Sequence, residues 1–171
     1  ATRHLLERCR ALARPPKVVF TSSVAVFGGA LPAVVLDTQA LTPQSSYGAQ
    51  KACGEFLVWD YTRKGMVDGR SLRLPTVSVR PGKPNKAASS FASGILREPL
   101  AGVDAICPVP VATRMWLLSP RLVIENLLIG HETLAAALTQ GRSVNVPGIS
   151  VTVRAMLDAL RRLDRAPRAV R

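Results

Sequence analysis

Apolar and polar positions along this chain alternate between two rhythms. Residues 17–22, from Lys17 through Val18, Val19, Phe20 and Thr21 to Ser22, form a short apolar run that closes on hydroxyls, which predicts a buried strand. A charged helix over 3–13 precedes it, and an irregular segment over 24–44 follows. The amphipathic stretch 46–64 predicts a helix, 65–69 a turn, and the Leu- and Val-rich stretch 71–79 a second strand. Pro81, Gly82 and Pro84 then break regular structure before a short helix over 85–97. Residues 103–111 read as an edge strand, because Pro108 and Pro110 cannot donate to a ladder. From 120 to 140, Leu122, Val123, Leu127, Leu128, Leu134 and Leu138 suit a helix interrupted at Gly130. A short strand at 143–146 and a final amphipathic helix at 152–162, with Leu157, Leu160 and Leu163 on its buried side, complete the order. Strands alternating with helices predict an α/β fold with a parallel sheet.

Composition narrows this picture more than it changes it. At 171 residues and 47% apolar content the chain is long enough for a real core and too apolar for disorder. No apolar run reaches the roughly 18 residues that span a bilayer, so no membrane partner is expected and the reading is soluble and cytoplasmic. The net charge of +12 attracts anions without specificity. Its basic residues are dispersed, and with only two Trp, two Tyr and four Phe there is little to stack on bases, so no specific nucleic-acid partner is expected. Cys9, Cys53 and Cys107 are far apart, and neither His4 nor His131 sits in a ligand motif, so no metal is expected.

The chemistry concentrates at Ser22-Ser23 and at Ser46-Tyr47-Gly48-Ala49-Gln50-Lys51. On a helix, Tyr47 and Lys51 stand at i and i+4, on one face about a turn apart. An ammonium held near a phenol favours the phenolate, which can take a proton from an alcohol. Tyr and Lys at this spacing are also a frequent accident on a solvated helix face. The strand that ends in hydroxyls upstream is what turns the pair toward catalysis.

Together these residues resemble the extended short-chain dehydrogenase/reductase family, which includes nucleotide-sugar epimerases and dehydratases. Aligning Phe20-Thr21-Ser22-Ser23-Val24-Ala25-Val26-Phe27-Gly28 with that family's serine strand puts the catalytic hydroxyl on Ser23, with Ser22 a close second. Further motifs, Arg73-Leu74-Pro75-Thr76-Val77-Ser78-Val79-Arg80-Pro81-Gly82-Lys83-Pro84-Asn85-Lys86-Ala87-Ala88-Ser89, Ser93-Gly94-Ile95-Leu96-Arg97-Glu98-Pro99-Leu100, Ser119-Pro120-Arg121 and Asn145-Val146-Pro147-Gly148, are similar to the branch that oxidises a four-carbon sugar acid, D-erythronate, at C2 with NAD. The resemblance implies a catalytic set of Ser23, Tyr47 and Lys51, and cofactor contacts from Ser22, Tyr47, Lys51, Pro75, Thr76 and Val77. For the small sugar-acid substrate it implies Ser23, Asn85, Lys86, Ser89, Arg97 and Arg121, where guanidinium and amide donors match a carboxylate.

By the same comparison, residues 1–82 are the C-terminal part of a Rossmann-like domain with a partial parallel sheet, and 83–171 are mainly a small substrate-binding region. No glycine-rich turn for a pyrophosphate occurs in the sequence, so the first strands of the nucleotide-binding sheet are expected upstream, with truncation at both ends. That leaves NADP open beside NAD, and the activity of the chain alone open. A homodimer through the helix of Tyr47 is the implied assembly, with Phe56, Leu57 and Tyr61 either at its interface or packed in the core. A nucleotide-sugar epimerase or dehydratase, and a non-catalytic basic module that binds anions or a partner, are the alternative functions.

Overall fold

The computed structural model describes residues 1–82, 88–138 and 141–163. The chain divides into two compact units, Ala1–Leu74 with Ile124–Val146, and Pro75–Val123 with Pro147–Arg171. The boundary expected between 82 and 83 therefore falls inside the second unit. Pro75 is the reason, since it has no N–H to continue a ladder that runs through Leu74.

In the first unit three strands, β1 (Lys17–Ser23), β2 (Asp68–Leu74) and β5 (Ser143–Asn145), form a parallel sheet in the order β1-β2-β5. A long helix, α2 (Ser46–Arg63), makes the crossover from β1 to β2 and packs on both. It lies close because Gly54 faces Phe20: a Cβ there would stand 2.4 Å from the ring. The helix α1 (Thr2–Arg10) joins through Leu6, which packs with Val58, Tyr61 and Val67 against Val18 and Phe20. Each such buried aliphatic side chain contributes on the order of 1.5–3 kcal/mol. α1 stops at Arg10, short of the expected 13.

The helix α4 (Pro120–Glu132) spans the boundary between the units. It does not break at Gly130 as expected; that glycine instead admits the Leu72 side chain, which a Cβ would approach to 2.7 Å. Its end is set by Arg70, which is 1% exposed and donates from Nη1 to the carbonyls of Gly130 and Thr133, each at 2.8 Å. A cation at a helix C-terminus satisfies carbonyls left without an intrahelical partner. Among the described residues that follow, Ala135–Ala137 form a 3-10 turn.

The second unit holds β3 (Thr76–Val77), α3 (Phe91–Leu100), β4 (Arg114–Leu118), β6 (Ile149–Thr152) and α5 (Val153–Leu163). β3 runs parallel to β4, and β4 antiparallel to β6, so this sheet is mixed where a parallel one was expected. The expected strand 71–79 is thus two strands in two sheets. The expected strand 103–111 does not form: only Ala105 makes an isolated bridge, and Pro108 and Pro110 hold the rest irregular. The core gathers Ala92, Ile95, Leu117, Val153, Met156 and Leu157. Leu163, expected on the buried side of α5, is exposed. An apolar cavity of about 590 Å³ lies within this unit, lined among others by Leu96, Leu100, Leu122, Ile149, Met156 and Leu160. Among the described residues no helix is long and apolar enough to cross a membrane.

Candidate active site

β1 ends on two serines, and alternation along a strand sends their side chains to opposite faces. Ser22 is 2% exposed, and its hydroxyl donates to Glu55 Oε1 at 2.5 Å. Ser23 is half-buried, and its Oγ accepts the backbone N–H of Ala25 at 3.2 Å, capping the 3-10 turn Val24–Val26. The two adjacent hydroxyls thus have distinct surroundings. Ser22, one of the expected cofactor contacts, is enclosed against Glu55.

α2 begins where Ser45 Oγ accepts the N–H of Gly48 at 3.1 Å, an N-cap that puts Tyr47 in the first turn. The fit between this turn and the strand end is made by Gly48, where a Cβ would stand 2.0 Å from the carbonyl oxygen of Ala25. Helix and strand end therefore meet backbone to backbone beside both Ser23 and Tyr47. Beneath that joint Val26, Phe27 and Ala52 form a small apolar cluster.

Lys51 stands one turn along α2. Its Nζ donates to the carbonyl of Thr21 at 2.7 Å and lies 5.6 Å from the centroid of the Tyr47 ring and 5.1 Å from that of Phe20. Both separations are within the range of a cation over an aromatic ring. Tyr47 itself is 55% exposed, so its hydroxyl is open to a small molecule. The phenol of Tyr61 has opposite surroundings. It is buried and donates to Glu7 Oε1, and that carboxylate raises its pKa while the same bond holds Glu7 below the ordinary carboxylate range.

One further turn along the Tyr47 and Lys51 stripe is Glu55, 3% exposed and ion-paired with Arg73 on β2. Arg73 Nη2 donates to Oε2 at 2.8 Å, and Nε donates to Oε1 at 3.0 Å. The remaining Nη1 donates to the Asp37 carbonyl at 2.8 Å, and the guanidinium lies 5.0 Å from the Phe27 centroid. Asn145 closes the network from β5: its N–H donates to Asp37 Oδ1 at 2.7 Å and its Nδ2 to the Val35 carbonyl at 3.1 Å. Motif and resemblance do not single out Gly48, Glu55 or Arg73. A carboxylate at i+8 on the Tyr and Lys stripe is the sequence signal that marks Glu55.

The other expected residues belong to the second unit. Thr76 and Val77 form β3 and are half-buried, and Pro75 is buried. Ser89 is half-buried in the 3-10 turn Ala88–Ser90. Arg97 Nη1 donates to the Arg80 carbonyl at 2.7 Å and the guanidinium also pairs with Glu98, so it fastens the segment after β3 to α3. Arg121 is exposed in the first turn of α4. Asn85 and Lys86 lie outside the described residues. No group of three or more His, Cys, Asp or Glu gathers to hold a metal among the described residues.

The arrangement has close relatives. Over 163 residues, 95% of this chain and 50% of the relative, it is 63% identical to the D-erythronate dehydrogenase of Cupriavidus necator. With the D-erythronate dehydrogenase of Haemophilus influenzae the identity is 52% over 160 residues, 94% of this chain and 51% of the relative. The crystal structure of the nucleoside-diphosphate-sugar epimerase from Agrobacterium tumefaciens superposes with a TM-score of 0.88 at 46% identity, covering 94% of this chain and 48% of that one. The chain thus spans about half the length of these relatives. Residues 1–113 match the model of the NAD dependent epimerase/dehydratase family, and this chain belongs to that family.

Proposed function

We propose that this chain carries the catalytic residues of an NAD-dependent dehydrogenase acting on D-erythronate, or a sugar acid of that size, at C2. The observation that carries the reading is the exposed Tyr47 ring beside the Lys51 ammonium, on a helix seated against the strand end that bears Ser23. Identity of 63% and 52% to two D-erythronate dehydrogenases supports the substrate.

In this reading Tyr47 is the general base that removes the proton of the C2 hydroxyl. Ser23, whose Oγ accepts from Ala25, keeps its O–H to donate to the same substrate oxygen. Lys51 holds its ammonium beside the Tyr47 ring and offers its remaining N–H donors to the ribose of the cofactor. NAD, when bound, accepts the hydride that leaves C2. The residues present fit the nicotinamide end of that cofactor, with an open phenol and an ammonium at the carboxyl end of β1, whereas the sequence has no glycine-rich turn to receive the pyrophosphate. Thr76 and Val77 are proposed to line the nicotinamide, and Asn85, Lys86, Ser89 and Arg121 to meet the substrate carboxylate. Arg97 is a weaker candidate, because its guanidinium already serves Arg80 and Glu98.

The test is a chimera in which this chain replaces the matching half of the C. necator enzyme, assayed for NADH formation from D-erythronate. The expected result is turnover that Tyr47→Phe lowers by about 10²- to 10⁴-fold. A folded chimera inert toward D-erythronate, or full turnover without the phenol, overturns the reading. The likeness to the A. tumefaciens epimerase favours a second one, and a nucleoside-diphosphate sugar offered to the same chimera separates them. Phe56 and Trp59, exposed on α2, support a homodimer through that helix. Tyr61, for which interface and core were both open, packs in the core, and Leu57 packs partly against that core.

A further inference from the structure

Tyr47, Lys51 and Glu55 follow one another at intervals of four on α2, so an ammonium and a carboxylate sit one turn apart on the same stripe. Such a pair ordinarily attracts, and a free Glu55 would draw Lys51 down the helix and away from Tyr47. The structure has the opposite arrangement. Lys51 reaches back to the Thr21 carbonyl and the Tyr47 ring, and Glu55 is held on both oxygens by Arg73 and on one by Ser22. Arg73 is placed for this by register, directly beside Ser22 in the β1 and β2 ladder. Its own orientation is fixed from the far side by the Asp37 carbonyl and the Phe27 ring.

The geometry points to Arg73 as a positioning residue: by occupying Glu55 it keeps that carboxylate off Lys51 and leaves the ammonium to the tyrosine. The inference rests on the reading of Tyr47 and Lys51 as the catalytic pair, but its structural half stands without it. Arg73 touches neither Tyr47 nor Lys51 and acts only through Glu55. Because removing one member of a buried ion pair costs more than removing both, packing alone also favours the double variant in stability. What only a positioning role predicts is that a folded Arg73→Met loses the Lys51 contact with the Tyr47 ring, and that removing Glu55 as well restores it.

The experiment follows the Lys51 ε-methylene by NMR in this chain, where the Phe20 and Tyr47 rings, 5.1 and 5.6 Å from Nζ, are expected to give it an upfield ring-current shift. Arg73→Met is expected to abolish that shift. The double variant Arg73→Met with Glu55→Gln, and the single variant Arg73→Lys, which keeps a cation on Glu55, are both expected to retain it. In the chimera Arg73→Met should lower kcat about 10- to 100-fold with KM within about twofold, and the double variant should recover most of kcat. A shift that persists in Arg73→Met, or one lost from the double variant, overturns the proposal. Should Arg73→Met not fold, the double variant and Arg73→Lys decide alone, since removing both members of a buried pair is often tolerated where removing one is not. A chimera with no dehydrogenase activity sinks the catalytic reading, and the ring-current shift then decides the role of Arg73 by itself.

Discussion

The two units are built on different physics. The first buries charge, with Glu55, Arg70 and Arg73 all 4% exposed or less, whereas the only polar side chain buried among the described residues of the second is Ser93. In the first unit the buried ions reach helix ends, strand ends and loop carbonyls, so they dictate which backbone atom faces which. The second unit is closed by Ala92, Ile95, Leu117, Val153, Met156 and Leu157, which fill space without directional demand. Taking charge out of water is costly and rarely the cheapest way to gain stability. Its presence under Tyr47 and Lys51, and its absence among the described residues of the second core, connects the cost to placement of a site.

This contrast can be broken at several points. The largest expected effect is in the apolar core: Ile95→Ala should cost about 2–5 kcal/mol of stability in urea unfolding and leave the Lys51 ring-current shift unchanged. If that shift moves as well, the second core is not separable from the site. Next comes Gly48→Ala. A helical Gly→Ala change normally gains about 1 kcal/mol, but here the new methyl meets the Ala25 carbonyl oxygen at 2.0 Å, and backbone cannot swing aside as a side chain can. Overpacking should win, with a loss of about 1–3 kcal/mol, and displacement of Tyr47 should lower chimera turnover by about 10²-fold. A more stable, fully active Gly48→Ala would show that the joint is loose.

The smallest effect is electrostatic and depends on pH. Burial opposes ionisation of Asp68, but hydrogen bonds from Arg70 and Arg142 outweigh it and hold the carboxyl below the ordinary aspartate range. A depressed carboxyl stabilises the fold fully above the unfolded value of about 3.9, and the contribution fades as pH falls through the lower folded value. Asp68→Asn should therefore lower stability at neutral pH and flatten the acid limb of a pH-stability curve. An unchanged acid limb would put the charge of this part of the first unit outside its stability.

Much of the first unit is legible in the sequence because local signals agree. Val18, Val19 and Phe20 mark β1, Ser45 caps α2, and the Tyr47 to Lys51 spacing survives as a real contact. The second unit is harder. β4 carries Met115, Trp116, Leu117 and Leu118 in an apolar run without strand alternation, and β6 has four residues, too few for any period to show. Pro108 and Pro110 abolish a strand rather than confine it to an edge, and Pro75 splits one expected strand between two sheets. The ion pair is hidden for a different reason. Charged residues are almost never buried unless paired, so Glu55 and Arg73 read as surface until a fold brings them together, 18 residues apart in sequence.

Asn145 anchors residues 35–37 from 108 positions away, and the strand that bears it is reached only after the whole stretch 75–123 has been made. During synthesis the segment between β1 and α2 must therefore wait, with the Asp37 carboxylate and the Val35 carbonyl unclaimed by Asn145, until β5 leaves the ribosome. Closing so long a span is entropically slow, and over that interval a nascent chain has a helix carrying Tyr47 but not yet the finished wall beside it.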